Sequence, residues 1–130
     1  MRYILLVLLT IGWLNADAQT WNQHQKIVPD DREVNDEFGN AVAISGDFAI
    51  VGAMREDDDG NGQNDASDAG SAYIYKRTNG TWAQEAKLVA ADRQSNDFFG
   101  HAVAISGEYC IVGAHQEGAP ANVVDKKLGY

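Results

Sequence analysis

Cysteine and proline are nearly missing from this chain. Cys110 is the one cysteine in 130 residues, and there are two prolines. A lone cysteine cannot form an internal disulfide, which excludes a small disulfide-stapled fold. Cys110 sits in the apolar stretch Tyr109-Cys110-Ile111-Val112 and reads as a buried, inert thiol. Positive charge is also scarce: 10 Lys and Arg face 19 Asp and Glu, for a net charge of −9. That balance argues against nucleic acid and anionic membranes as partners and suits divalent cations. The three histidines, His24, His101 and His115, are not spaced to share a metal. There is no nucleophile elbow and no Gly-rich phosphate loop. No catalytic constellation appears, and the chain reads as non-enzymatic.

Long apolar runs are lacking beyond the N-terminus. Ile4 to Trp13 is apolar except for Thr10 and Gly12, follows Arg2, and precedes Ala16-Asp17-Ala18. This is the order of a secretory signal, with small residues at −3 and −1 of a cut after Ala18. The run is shorter than the roughly 20 residues a membrane span needs. Residues 1–18 are therefore expected to be a signal peptide, and the protein to be secreted or displayed at the cell surface without being embedded. A non-cleaved signal anchor is the alternative.

What the chain has in abundance is repetition. Thr20-Trp21-x-Gln23 returns as Thr81-Trp82-x-Gln84, and Lys26-Ile27-Val28 as Lys87-Leu88-Val89. Asp31-Arg32 returns as Asp92-Arg93, and Asn35-Asp36-Glu37-Phe38-Gly39 as Asn96-Asp97-Phe98-Phe99-Gly100. Ala41 to Gly46 recurs unchanged at 102–107, and Ile50-Val51-Gly52-Ala53 at 111–114. Every offset is 61, and residues 20–56 match residues 81–117 at 22 of 37 positions without a gap. The sequence is an internal duplication.

One period holds strands rather than helices. Val42 and Ile44 alternate with smaller residues, as do Phe48, Ile50 and Gly52, and residues 72–77 are aromatic and β-branched before turning polar. Ser45-Gly46-Asp47 reads as a tight turn, and Asn79-Gly80 as a type I′ hairpin turn. Four strands are predicted, at about 41–45, 48–53, 71–77 and 81–89. Four short antiparallel strands at this spacing suggest an all-β fold of β-propeller blades. Ala41, Ala43, Ala49, Gly52 and Ala53 suit crowded inner strands, and Tyr73, Tyr75 and Trp82 outer ones. A solenoid or open β-meander is the alternative at this point.

Between the second and third strands lies Asp57-Asp58-Asp59-Gly60-Asn61-Gly62-Gln63-Asn64-Asp65, which reads D-x-D-x-N-G-x-x-D. Asp57, Asp59 and Asn61 put oxygen donors at positions 1, 3 and 5. Gly62 permits the sharp turn, Gln63 offers its backbone carbonyl, and Asp65 closes the set. Calcium takes six to eight such hard oxygens on a flexible loop. Asp68 falls at position 12, but strands flank the loop where an EF-hand needs helices. A solvated acidic loop is the bland alternative, and the ordered spacing is more specific than an acidic run. Ca²⁺ is expected here in a structural role, pinning a long connection. The second repeat has Gly118, Pro120, Asn122, Val123 and Lys126 at the aligned positions, so no calcium is expected there.

Phe38-Gly39, Val51-Gly52-Ala53 and the acidic loop, in that order, resemble the FG-GAP repeat of integrin α-subunits and many exported bacterial proteins. Phe99-Gly100 and Val112-Gly113-Ala114 repeat the pattern. The resemblance implies a β-propeller, which has seven blades in that family, and calcium on Asp57, Asp59, Asn61 and Asp65. Met54 and His115 stand where the family often has Pro. Seven blades of this period would need on the order of 430 residues. About one and a half blades of an incomplete propeller are therefore expected here: residues 1–18 a signal peptide, 19–40 an outer strand and linker of a preceding blade, 41–89 an FG-GAP blade with the calcium loop, and 90–130 a partial second repeat lacking its third and fourth strands. The remaining blades are expected to lie outside this chain, or copies of it to assemble. The function implied is a non-catalytic binding module for adhesion to an extracellular protein or glycan. The alternatives are an accessory propeller of a larger secreted hydrolase and a purely structural repeat.

Overall fold

The computed structural model describes residues 22–59, 61, 66–116 and 123–128. The signal-peptide expectation, residues 1–18, falls outside them. The described residues form seven strands and no helix. Strands β1 (Phe38–Ser45), β2 (Phe48–Ala53), β3 (Ser71–Thr78) and β4 (Thr81–Leu88) make one antiparallel sheet in sequence order. Strands β5 (Phe99–Ser106), β6 (Tyr109–Ala114) and β7 (Val123–Lys127) make a second. These are the four-stranded blade expected from the first repeat and a second blade with three strands.

The turns follow from local chemistry. Asn79 and Gly80 both carry positive φ, 52° and 82°, as a type I′ turn requires. Gly46 and its repeat equivalent Gly107 turn at φ 57° and 55°. Before each first strand, Asn35 and Glu37 are left-handed, and so are Asn96 and Phe98. Asp36 and Asp97 hold these turns alike: the carboxylate of Asp36 accepts from the Glu33 N–H, and that of Asp97 from the Gln94 N–H.

Three expectations need correction. The first strand starts at Phe38, not near residue 41. Phe38 pairs with Ala53 and Val42 with Val51, so three residues on β1, Gly39 to Ala41, lie opposite the one residue Gly52 on β2, with Gly39 at positive φ. The bulge breaks the alternation that marks a strand in sequence. Next, residues 22–28 form no strand. Among the described residues no third strand of a preceding blade offers them a ladder. The segment is instead fixed by Gln25, whose side-chain amide donates to the Trp82 carbonyl (2.8 Å) and accepts from the Trp82 N–H (2.8 Å). Finally, the second blade does have a third strand, β7, antiparallel to β6. The connection from β2 to β3 runs over residues 54–70, whereas that from β6 to β7 needs only 115–122. The 61-residue offset thus fails across this connection: Val123 and Lys126, aligned above with Gly62 and Asp65, are strand residues.

The two sheets pack face to face. Phe48, Ile50, Ala72, Ile74 and Leu88 of the first meet Phe99, Cys110, Val112, Ala114 and Leu128 of the second in one buried cluster. Cys110 lies in that core, as its apolar neighbours suggest. On the opposite face of the first sheet, Val51, Ala53, Tyr73 and Tyr75 are covered by Phe38, Trp82 and Ile27. Phe38 meets Tyr73 edge-on at 5.6 Å and Tyr75 at 6.2 Å.

Candidate functional site

The candidate loop is the long β2–β3 connection, and its start is anchored by Glu56. This side chain is buried. Its carboxylate accepts from the Tyr73 hydroxyl (2.7 Å) and the Asp58 N–H (3.1 Å), and pairs with Lys87 Nζ (3.3 Å). Its backbone carbonyl accepts from the Gly70 N–H at 2.9 Å, tying the start of the loop to its end. Lys87 also pairs with Asp31 at 2.7 Å. A buried lysine spanning two carboxylates satisfies the charge rule for interiors.

Tyr73 completes the cluster, with its hydroxyl 2.7 Å from Glu56 and 3.0 Å from Asp31. Its single proton serves one carboxylate at a time, while Lys87 supplies the other donors. Burial, then the neighbouring carboxylates, push the Tyr73 phenol far above its ordinary range. Burial raises Tyr75 as well, helped by Asp30 and Asp31. For Asp31, burial works upward, but the hydrogen bond and charge of Lys87 together with Tyr73 leave the carboxyl below its ordinary value. Asp36 goes the other way, raised by burial and by the charges of Glu56, Glu33 and Asp57.

Of the five sequence-predicted ligands, Asp57, Asp59 and Asn61 are described, and Gln63 and Asp65 lie outside the described residues. Asp59 folds the loop onto itself: its carboxylate accepts from the Asn61 N–H (2.7 Å) and the Asn61 side-chain amide (3.2 Å), an Asx turn. Asp57 closes the loop from its other side, accepting from the Asp68 N–H at 2.7 Å. Its carbonyl accepts from Arg93 Nη2 at 2.9 Å. Asp68, at EF-hand position 12, faces Arg55 at 3.3 Å. Arg55 in turn reaches Glu37 at 2.9 Å and stacks on the Phe98 ring. Among the described residues no three His, Cys, Asp or Glu side chains gather to hold a metal. The donor chemistry of the motif fits calcium: every donor is a hard oxygen, and a carboxylate oxygen that accepts one N–H keeps a second lone pair.

Asp31, Tyr73, Lys87 and Arg93 were missed as parts of this region by motif reading. For Asp31, Lys87 and Arg93 the signal was the repeat itself, since Asp31-Arg32 returns as Asp92-Arg93 and Lys26 as Lys87; Tyr73 lies outside the duplicated stretches. The structure also joins two histidines that spacing kept apart: the His101 and His115 rings lie 4.4 Å apart beside Phe98.

The repeated Phe-Gly and Gly-Ala motifs meet between blades. Phe99 and Gly100 open β5 and lie across the ends of β2 and β3. The Phe99 N–H donates to the Ala69 carbonyl (2.8 Å), and the Asn96 and Phe98 N–H groups donate to Ser67 and Asp68 (2.9 and 3.1 Å). The far end of the acidic loop is thereby stitched to the second repeat. A family model of the FG-GAP repeat matches residues 21–75 and again residues 82–126. The chain belongs to the FG-GAP repeat family. No curated protein and no solved structure matches it. The two FG-GAP matches start 61 residues apart, at Trp21 and Trp82, in step with the internal duplication. FG-GAP repeats are β-propeller repeat units, generally binding or structural modules rather than catalytic ones.

Proposed function

We propose that this chain is a secreted or cell-surface calcium-binding β-propeller module that binds an extracellular protein or glycan, in adhesion, and does no chemistry of its own. The observation that carries this reading is the D-x-D-x-N-G-x-x-D spacing on the β2–β3 connection of an FG-GAP repeat. Asp57, Asp59, Asn61, the Gln63 carbonyl and Asp65 would hold the ion. When bound, calcium supplies a positive centre that offsets the clustered carboxylates. The chain's own residues supply the frame: Glu56 and Lys87 fix the start of the loop, Arg93 holds the Asp57 carbonyl, and the Asn96–Phe99 backbone holds its end. The N-terminal order of charge, apolar run and small residues supports export, which calcium-rich surroundings would match.

Thermal melting with calcium and with chelator tests the reading. Calcium is expected to raise the midpoint of the wild type and to leave Asp59→Ala unmoved. An identical wild-type melting curve in both conditions refutes it.

A further inference from the structure

We propose that Met54, His101 and His115 form a binding site for a monovalent copper ion where the two blades meet. The proposal is independent of calcium binding, and it uses only side chains of the two described blades.

The duplication sets these three residues beside one another. Met54 and His115 occupy the same place in successive repeats, directly after Gly52-Ala53 and Gly113-Ala114. His101 occupies the place of Asn40. In the first repeat that place serves the backbone: Asn40 accepts from the Met54 N–H and donates to the Gly100 and His101 carbonyls. These bonds hold the start of β5 against the end of β2. The His101 side chain is thereby brought to Met54, with Nδ1 3.3 Å from Sδ. The His115 ring lies 4.4 Å from the His101 ring, centroid to centroid, with the planes tilted by 31°.

These separations suit two imidazoles and a thioether on one ion. With a metal–nitrogen bond of about 2.0 Å, a ring centroid lies about 3.2 Å from the metal, so two rings at right angles have centroids about 4.5 Å apart. Nitrogen and sulfur ligands on one centre, at about 2.0 and 2.3 Å from it, stand about 3.0–3.5 Å from each other. Both rings are exposed, and the ring torsion of histidine is broad, so small rotations aim the nitrogens.

The donor chemistry selects the ion. The set contains no carboxylate, so it does not suit calcium or magnesium, which take hard oxygens. A thioether is a soft donor and imidazole suits copper, so the two together favour Cu(I). All three donors are neutral when the rings are unprotonated. Arg55 stacks on the Phe98 ring, which packs beside His115, and so already places a cation nearby. A monovalent ion is repelled by it less than a divalent one.

Titration of the full chain with Cu(I) under ascorbate, in competition with a chromophoric Cu(I) chelator, tests this. The wild type is expected to bind Cu(I). Met54→Leu, His115→Gln and His101→Asn, which copies the residue of the first repeat, should each weaken binding by more than the roughly 10- to 100-fold that loss of an outer supporting contact costs. His24→Gln and Cys110→Ala, which removes the chain's one thiol, should leave it unchanged. Circular dichroism of the metal-free variants verifies that they fold. X-ray absorption should show a sulfur neighbour of copper in the wild type and in Cys110→Ala, and none in Met54→Leu. No uptake of Cu(I), uptake that depends on Cys110 and not on Met54, or zinc bound more tightly than Cu(I) would each overturn the proposal.

Discussion

Gly52 and Gly100 meet backbone against backbone where the two sheets join. A Cβ on Gly52 would stand 2.0 Å from the Gly100 carbonyl oxygen, and a Cβ on Gly100 would stand 2.1 Å from the Ser71 carbonyl oxygen. Neither atom is a flexible side-chain tip that could move aside. Gly52 and Gly100 are thus places where one sheet's main chain enters the next.

The first prediction follows from that contact. Gly52→Ala should destabilise the fold by about 1–3 kcal/mol, the usual cost of overpacking. Gly100→Ala should cost more, because Gly100 also sits at φ +90°, where an L side chain is strained. Gly113→Ala is the internal control. Its Cβ would meet ordinary contact at 3.9 Å, and its effect should stay within about 0.5 kcal/mol. Urea midpoints of the three variants, compared at equal slope, decide this.

How much of this was legible in the sequence differs by residue. Asn79-Gly80 declares its turn because both positions must be left-handed and few residue pairs allow it. Val42 and Ile44 declare a strand by alternation. Asp57, Asp59 and Asn61 declare a ligand pattern by spacing along one short segment. Lys87 does not declare itself. An isolated lysine in an alternating strand looks solvated, and its partner Asp31 lies 56 residues away. Only the fold brings them together. Likewise β7 was hidden because the second connection is shorter than the first, so a fixed period misaligns every residue beyond it.

The Lys87 pairings give the second prediction. Lys87→Met leaves Asp31 and Glu56 facing each other's neighbourhood without a cation. Removing one partner of a buried pair costs about 3–5 kcal/mol. The double variant Lys87→Met with Glu56→Gln should recover part of the loss, because one unpaired charge is gone while the amide oxygen can still accept from Tyr73. Equal destabilisation of single and double variants would show that the pairing does not act as a unit.

Asp31 adds an acid-side consequence. Its folded pKa is lowered, so it contributes stability that is present above the ordinary carboxyl value of 3.8 and is lost as pH falls through the lower folded value. Denaturant midpoints taken down through pH 4 and below should fall in the wild type. In Lys87→Met that part of the slope should be weaker, since the main cause of the lowering has been removed.

Tyr73 and Tyr75 act at the other end of the scale. Both phenols are raised in the folded state, so the folded chain holds protons that the unfolded chain releases above pH 10.0. Their stabilisation is complete below that pH and declines as pH rises past it. Ultraviolet titration should therefore show two of the five tyrosines ionising only when the fold is lost. Smooth titration of all five with the fold intact would contradict the buried hydroxyl of Tyr73.

Asn40 offers the most discriminating substitution. Its side-chain amide donates to the carbonyls of Gly100 and His101, each at 3.2 Å, while its oxygen accepts from the Met54 N–H at 3.2 Å. Two carbonyls on one side and an N–H on the other fix which end is nitrogen. Asn40 thus ties its own sheet's loop to the start of the next sheet. Asn40→Ala should cost about 1 kcal/mol, since the site is partly open to water that can replace lost partners. Asn40→Asp should cost more than alanine although it is closer in shape. Its carboxylate can still accept from Met54 but has no proton for the two carbonyls, and its charge faces their oxygens. Lowering the pH until that aspartate protonates should restore part of the loss, because a carboxylic acid regains one donor. Urea midpoints of both variants across the acid range separate this donor role from simple packing, for which Asp would be the milder change.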